Sequence, residues 1–530
     1  MKTSLLRALV TLPLLGALAA GAAGCSVESD ATDADDEDLT SLTARSRQLS
    51  FQGIVYVEPT ASTESILSAA QQQTRTAFGA FREADIAVNN RELKAIDTAT
   101  FKKRTVTVVD TANPTAAGRP MLEVRYTYKD AAIVSPAYAG RSSTNSALLG
   151  PRQFAESARI IRECTADDHD AHSYPLWYVF NPNLSKCETV MKAEDDAIRA
   201  DRLKLGTGAA AADKVTKSEV DRLYWPITVK LGADKTRKGN TYPKYDRLYA
   251  GGVEQDKMVI SLVYGMIDHQ APAGGPQEDA GYGEWVDNLN ELFKVRAFEL
   301  TKIDGEGIAS VTLSTGKTVS GLTFPKVLAW NNGGTDGMTG LTSAERAELK
   351  KTMGQRLYKH WVTLESKAKV KIGSGPEKDF TYKIITYFGV ESDQAPHKLA
   401  IKNSDVYIYN GHSYIGSGPL DPTRFSASDF PKSYQILFID GCVSYNYYHK
   451  GYIPLKEGGT QNLDLITNGL ETPSWRSGYA TGRLVATLID GKGASYQSML
   501  AEAEDTDRMR VVDGELDNKW RPSKTPISVR

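Results

Sequence analysis

Apolar and polar positions along the chain follow two different periods in its two halves. From Ser50 to about Leu231, a polar-faced helix is predicted over Ser62 to about Ala84. Arg104–Val109 and Met121–Tyr128 then alternate apolar and polar side chains. That period of two is what a half-exposed antiparallel sheet requires, so this region reads as α+β. Further on the apolar runs become continuous. Met258–Ile267, Tyr382–Phe388, Asp405–Tyr409, Gln435–Ile439 and Leu463–Thr467 suit strands covered on both faces. Trp285, Leu289, Leu292 and Phe293 make one helical stripe. Thr342 with Glu345 three residues later is a capping-box signature, opening a helix to about Leu364. Another helix is expected from about Ser477 to Ile489. Buried strands alternating with helices predict an α/β fold for this half, a mostly parallel sheet with helices on both faces. The period changes across the basic, Gly- and Pro-bearing stretch Leu231–Gly252, which contains Lys235, Arg237, Lys238, Lys244 and Arg247. A boundary there gives an α+β domain over residues 50–240 and an α/β domain over 250–530.

The chain before Ser50 has no globular pattern. Lys2 and Arg7 form a positive head, an apolar run extends from Ala8 to about Ala23, and Ala22-Ala23-Gly24 precede Cys25. These are the requirements of a secretory signal over residues 1–24, and the run is too short to span a bilayer. Ala22-Ala23-Gly24-Cys25 resembles the lipobox of bacterial lipoproteins, with Ala22 where Leu is usual. The resemblance implies acylation of Cys25. An ordinary secreted protein cut near Gly24 is the alternative. Glu28, Asp30, Asp33, Asp35, Asp36, Glu37 and Asp38 follow with no basic residue until Arg45, so residues 25–49 read as a solvated acidic tether. The expected location is the cell envelope, held by lipid; Ser26 after the Cys resembles outer-membrane sorting signals if the host is Gram-negative.

Composition narrows the partners. With 41% hydrophobic residues and a net charge of -2, the chain is globular and has no basic stripe to attract nucleic acid. Of four cysteines, Cys25 is assigned to lipid. Cys164 and Cys187, 23 positions apart, are expected to pair in an oxidising compartment. Cys442 is left over, and an unpaired thiol in an exported protein invites a chemical explanation.

Two strand ends supply one. Asp405-Val406-Tyr407-Ile408-Tyr409 runs into Asn410-Gly411-His412-Ser413, and Gln435-Ile436-Leu437-Phe438-Ile439 runs into Asp440-Gly441-Cys442-Val443-Ser444. In open parallel sheets functional groups gather beyond the carboxyl ends of strands, and 30 residues suffice for one crossover between His412 and Cys442. A Cys beside an imidazole can be held as the nucleophilic thiolate. This arrangement resembles the caspase, gingipain, clostripain and legumain superfamily of cysteine peptidases, which place a His after one strand and the Cys after the next. Asp464-Leu465-Ile466-Thr467-Asn468, with Trp475 beyond, resembles the following strand and substrate-side loop of gingipain-like members. The resemblance covers roughly Asp405–Ile489 and implies a caspase-like fold, a His412–Cys442 dyad, no cofactor, and a protein or peptide substrate. It also implies an oxyanion hole of the Ser413 and Cys442 backbone N–H groups. Ser413 stands where that family has Gly.

Two other functions compete. A catalytically inactive descendant, a surface binding or assembly module, is favoured by Ser413. An L,D-type transpeptidase shares only Gly441-Cys442-Val443, and Asp440 and Ser444 depart from its motif. Asp168-His169-Asp170-Ala171-His172 has metal-ligand residue types on an expected solvated loop, and no metal site is assigned there. His449, one helical excursion beyond Cys442, lies too far along the axis to be its partner. Gly206–Ala211 fits a dinucleotide fingerprint by letters but follows no apolar strand. Tyr445, Tyr447 and Tyr448 are expected to serve packing.

Overall fold

The computed structural model describes residues 39–89, 92–166, 174–268, 273–390, 392–473, 477–503 and 508–530. In the N-terminal half, the alternating segments form long antiparallel strands. Arg45–Val57 pairs with Arg119–Val134 from Arg45↔Val134 to Val57↔Leu122, with Lys102–Val109 on one side and Tyr224–Leu231 on the other. The expected helix is two. Ser62 caps Thr63–Arg75 by accepting from the Ser65 N–H. A second segment, Ala77–Arg82, follows Thr76. Thr76 interrupts because its hydroxyl donates to the Gln73 carbonyl at 2.6 Å and accepts from the Leu149 N–H at 2.8 Å, tying the helix to a neighbouring strand. Cys164 and Cys187 form a disulfide between two helices of this half.

The second half is built on five parallel strands: β1 (Lys257–Gly265), β2 (Lys378–Gly389), β3 (Val406–Asn410), β4 (Gln435–Asp440) and β5 (Leu463–Asn468), in spatial order β2-β1-β3-β4-β5. An antiparallel strand, β6 (Arg510–Asp513), follows β5. Trp361–Ile372 extends the other edge, antiparallel to β2. The architecture is therefore mixed α/β with mixed sheets. The capping box at Thr342 and Glu345 is present, but its helix stops at Leu357 and not near Leu364. Lys359 then takes a left-handed backbone (φ 63°) and the alternating residues from Trp361 start a strand.

Side-chain alternation along the parallel strands separates two cores. Ile260, Leu262, Tyr264, Val406, Ile408, Ile436, Phe438 and Ile466 pack with helices Ala280–Val295 and Ser477–Ile489. Val263, Tyr407, Tyr409, Leu437, Ile439, Leu463 and Leu465 point to the other face. There they share one cluster with helix Gln394–Lys402 and with Phe51, Phe78, Phe81 and Tyr128 of the first half. The two sheets fall on either side of the stretch 231–257, yet this core runs across both. The stretch itself is laid along the first half: Lys235 N–H donates to the Ser46 carbonyl at 2.9 Å and Arg237 N–H to that of Leu39 at 2.8 Å. Thr40–Ser41, next in the chain, belongs to the second sheet and pairs with β6.

Candidate active site

β3 and β4 are adjacent parallel strands in register Asn410↔Asp440, so both end on one edge of the sheet, and His412 and Cys442 each follow two residues past their strand's end. Gly411 and Gly441 make the two turns possible. A Cβ on Gly441 would sit 2.5 Å from Ser413 Oγ and 3.2 Å from the Gly411 carbonyl; Gly411 holds φ 156°, with Tyr409 Oη in the way of any side chain. Ser413 locks the loops together, its Oγ donating to the Cys442 carbonyl at 2.7 Å. Tyr448 Oη in turn donates to the Ser413 carbonyl at 2.8 Å, and Tyr409 Oη to that of His412 at 2.7 Å. Tyr447 stacks on Phe78 with ring centroids 6.0 Å apart.

Backbone strain concentrates here. Tyr414 (φ 49°), Ile415 (φ 52°) and Val443 (φ 51°) are left-handed, and two of these are β-branched. Such conformations cost on the order of 1–3 kcal/mol each and persist where the surroundings over-determine them, commonly at functional sites. The Ser413 and Cys442 backbone N–H groups have no acceptor among the described residues.

The imidazole is oriented by a group that no motif announced. His412 Nε2 lies 2.8 Å from the Ile267 carbonyl, just past the end of β1. A carbonyl only accepts, so Nε2 carries a proton, and in the neutral ring Nδ1 is the nitrogen with the lone pair. The Ile267 segment is held by Asp279, whose carboxylate accepts from the N–H groups of Ile267 (3.0 Å), Asp268 (3.0 Å) and Gly281 (2.7 Å) while capping helix Ala280–Val295. Burial pushes the Asp279 carboxyl above its ordinary range despite these bonds.

Cys442 is half-buried and unpaired. Its Sγ lies 3.8 Å from both the carbonyl and the hydroxyl oxygen of Thr472, on the loop after β5. Burial pushes the thiol up, and the Glu471 and Asp440 carboxylates add to the shift. No hydrogen bond among the described residues joins this sulfur to His412. Asp440 itself is buried beneath the loops, accepting from Asn468 Nδ2 at 2.7 Å and Asn410 Nδ2 at 3.4 Å and lying 3.5 Å from Arg510. Glu284, on the helix after β1, accepts from the Gly478 N–H at the start of helix Ser477–Ile489, and burial raises its carboxyl to about 8.

No family model, curated protein or solved structure matches the chain.

Other candidates are displaced from the site. His449 pairs with Asp513 at 3.2 Å under β5 and β6. Gly206–Ala211 leads into a one-turn helix with no strand before it. Cys25, residues 26–38 of the tether expected over 25–49, Asp168–His172 and Trp475 lie outside the described residues; residues 39–49 of that stretch are not a solvated tether, since Thr40–Ser41 and Arg45–Val57 are strands and none of these residues is exposed. Among the described residues, no group of three or more His, Cys, Asp or Glu could hold a metal ion, and no helix is long and apolar enough to cross a membrane. Ile267, Asp279, Thr472 and Glu471 were not foreseen. Only Asp279, an Asp just before a helical stripe, left a trace in the sequence, as an N-cap signal.

Proposed function

We propose that the chain is an exported, lipid-anchored cysteine endopeptidase of the caspase, gingipain, clostripain and legumain type, with Cys442 as nucleophile and His412 as base and acid. One observation carries the reading: adjacent parallel strands in register deliver the imidazole and the thiol to one sheet edge, on loops clasped by the Ser413–Cys442 hydrogen bond. In the reaction, His412 Nδ1 takes the thiol proton as Sγ attacks the scissile carbonyl. The oxyanion is received by the Ser413 and Cys442 N–H groups, a role in which one donor is typically worth about 3 kcal/mol. His412 then protonates the leaving amine, and water hydrolyses the thioester. The Ile267 carbonyl keeps the ring in the tautomer that this sequence needs. Ser413 is compatible with the hole, because its N–H is as able a donor as that of Gly while its hydroxyl is used elsewhere.

Cleavage of a mixed peptide library by wild type, lost in Cys442→Ala and in His412→Ala, is the expected result. Fatty-acid labelling at Cys25 tests the anchor; an unlabelled wild type refutes it. A second reading is a non-catalytic binding module. It is favoured by the neutral, Thr472-bonded state of the thiol, and it requires that no library peptide be cleaved.

A further inference from the structure

We propose that the sheet face opposite helices Ala280–Val295 and Ser477–Ile489 carries a binding site for a neutral saccharide, independent of whether the His412–Cys442 edge cleaves peptides. β1, β2 and Trp361–Ile372 set Ser261, Ile385 and Thr363 in one row across this face. The row on one side is Val263, Tyr387 and Trp361, and on the other Val259, Lys383 and Glu365. Over β3, β4 and β5 the same face is closed by the first half of the chain, whereas Trp361, Thr363, Glu365, Lys383 and Ile385 are only half-buried. Between Leu399 of helix Gln394–Lys402 and the edge strand Glu299–Ile303 lies a cavity of about 500 Å³. Ligand pockets typically measure about 300–1,000 Å³.

The floor of this cavity holds an unmet polar group. Ser261 is 1% exposed, and its Oγ has no hydrogen-bond partner among the described residues. The charges around it balance. Lys383 and Lys257 both bond Glu254, and Lys257 also reaches Glu365 at 3.3 Å. Lys302 and Asp304 add one charge of each sign, Asp304 accepting from the Trp361 N–H at 2.8 Å and lying 3.0 Å from His360 Nδ1. Three carboxylates against three ammonium groups leave no net charge to hold an ion, yet each paired group keeps further lone pairs or donors. An apolar ligand would strand those groups and Ser261. A peptide backbone would find no strand edge to extend, since β1 lies between β2 and β3, and Trp361–Ile372 between β2 and Glu299–Ile303. A neutral ring rich in hydroxyls and bearing an apolar face meets every condition. Trp361, its ring 5.0 Å from that of Tyr387, and the 51% exposed Leu399 offer the wall for the C–H face of a pyranose. Hydroxyls that both donate and accept serve Ser261, Glu365 and Lys383 together.

The test uses the full chain in a polyoxyethylene detergent, which has no sugar headgroup to compete. It is applied to an array of neutral, acidic and amino sugars, each present as a single unit and within a chain, so that a free sugar and a polysaccharide are told apart. Wild type should bind neutral sugars, and titration with the free sugar, followed by Trp fluorescence, should saturate. The same ring bearing a carboxylate or an ammonium group should bind about tenfold more weakly. Trp361→Ala should abolish binding. Ser261→Ala should weaken it about fivefold while its urea midpoint equals or exceeds that of wild type, because a buried hydroxyl without a partner has been removed. A merely structural Ser261 would leave the affinity unchanged. Absence of any bound sugar, preference for the charged rings, or wild-type affinity in folded Ser261→Ala or Trp361→Ala overturns the site and leaves the peptidase reading untouched.

Discussion

Replacing Asp279 should disable the site without touching either reacting group. Its buried carboxylate accepts three backbone N–H groups, two of them on the segment whose Ile267 carbonyl orients His412. Asp279→Ala leaves these donors without their partner; Gly281 is buried, Ile267 part-exposed and Asp268 exposed, and the cost is about 1–3 kcal/mol for each donor that water cannot reach. The Gly281 bond is also the helix cap, so the cap adds no separate loss. A loss of about 2–3 kcal/mol is expected. Asp279→Asn should cost far less, about 1 kcal/mol, because burial already disfavours the charged form and Asn keeps an acceptor. Urea unfolding gives the stabilities. In the same samples, the pH profile of kcat/KM reports the imidazole, which in Asp279→Ala is no longer fixed in its Nε2–H tautomer. Turnover should drop at least tenfold, more than in Asp279→Asn. If Asp279→Ala is folded and destabilised as calculated but keeps wild-type kcat, the Ile267 carbonyl does not orient the base and the argument fails.

Other outcomes follow from the same geometry. With its thiol raised by burial, Cys442 should rest as the thiol at pH 7 and react with iodoacetamide faster as pH rises above 7; a plateau below pH 7 would mean a resting ion pair with His412. Glu284 binds its proton more tightly folded (about 8) than unfolded (about 4.5), so the stability it contributes is complete below pH 4.5 and is lost as pH rises to 8. Glu284→Gln should therefore flatten that slope and be the more stable protein at pH 8.5 by a few kcal/mol in urea titrations; an unchanged slope would put the charge elsewhere. Reducing the Cys164–Cys187 disulfide opens a loop of 23 residues and should cost about 3 kcal/mol, read as a lower urea midpoint; an unmoved midpoint would make the link incidental.

How much of this was readable beforehand depended on whether a residue's environment is local. Four of the five parallel strands stood out because burial on both faces leaves an unbroken apolar run, whereas β2 alternates buried and part-exposed residues up to Ile385; the ends carrying His412 and Cys442 were marked by the Gly that each turn needs. Trp361–Ile372 was partly absorbed into the preceding helix because its first residues continue an apolar spacing that fits either period. Arg510–Asp513 was invisible: four residues are too short for any pattern, and Arg510 looks like a surface residue until Asp440 and Asn468 are seen to receive it. Asp440 stands beside Cys442 with nothing nearby in sequence to compensate its charge, and only the fold brings it Arg510 and Asn468. Thr472, Glu471 and Ile267 were silent for the same reason, as their partners are supplied from 30, 389 and 145 residues away.

The pairing of Thr40–Ser41 with Val511–Val512 ties the first described residues to nearly the last, and Ile527–Val529 completes the opposite edge against Trp361–Ile372. An antiparallel contact spanning some 470 residues forms only after almost the whole chain is available. Loop-closure entropy grows only slowly with length, so the equilibrium tolerates such a span, whereas the search for non-local partners sets the rate. Folding should be slow and late, completed by the C-terminal strands, and until then the strand edges around β5 stay open to solvent. Until that late pairing the chain lacks its buried Arg510 support, and with it an ordered loop after β4, so the Cys442 segment is among the last parts to be fixed.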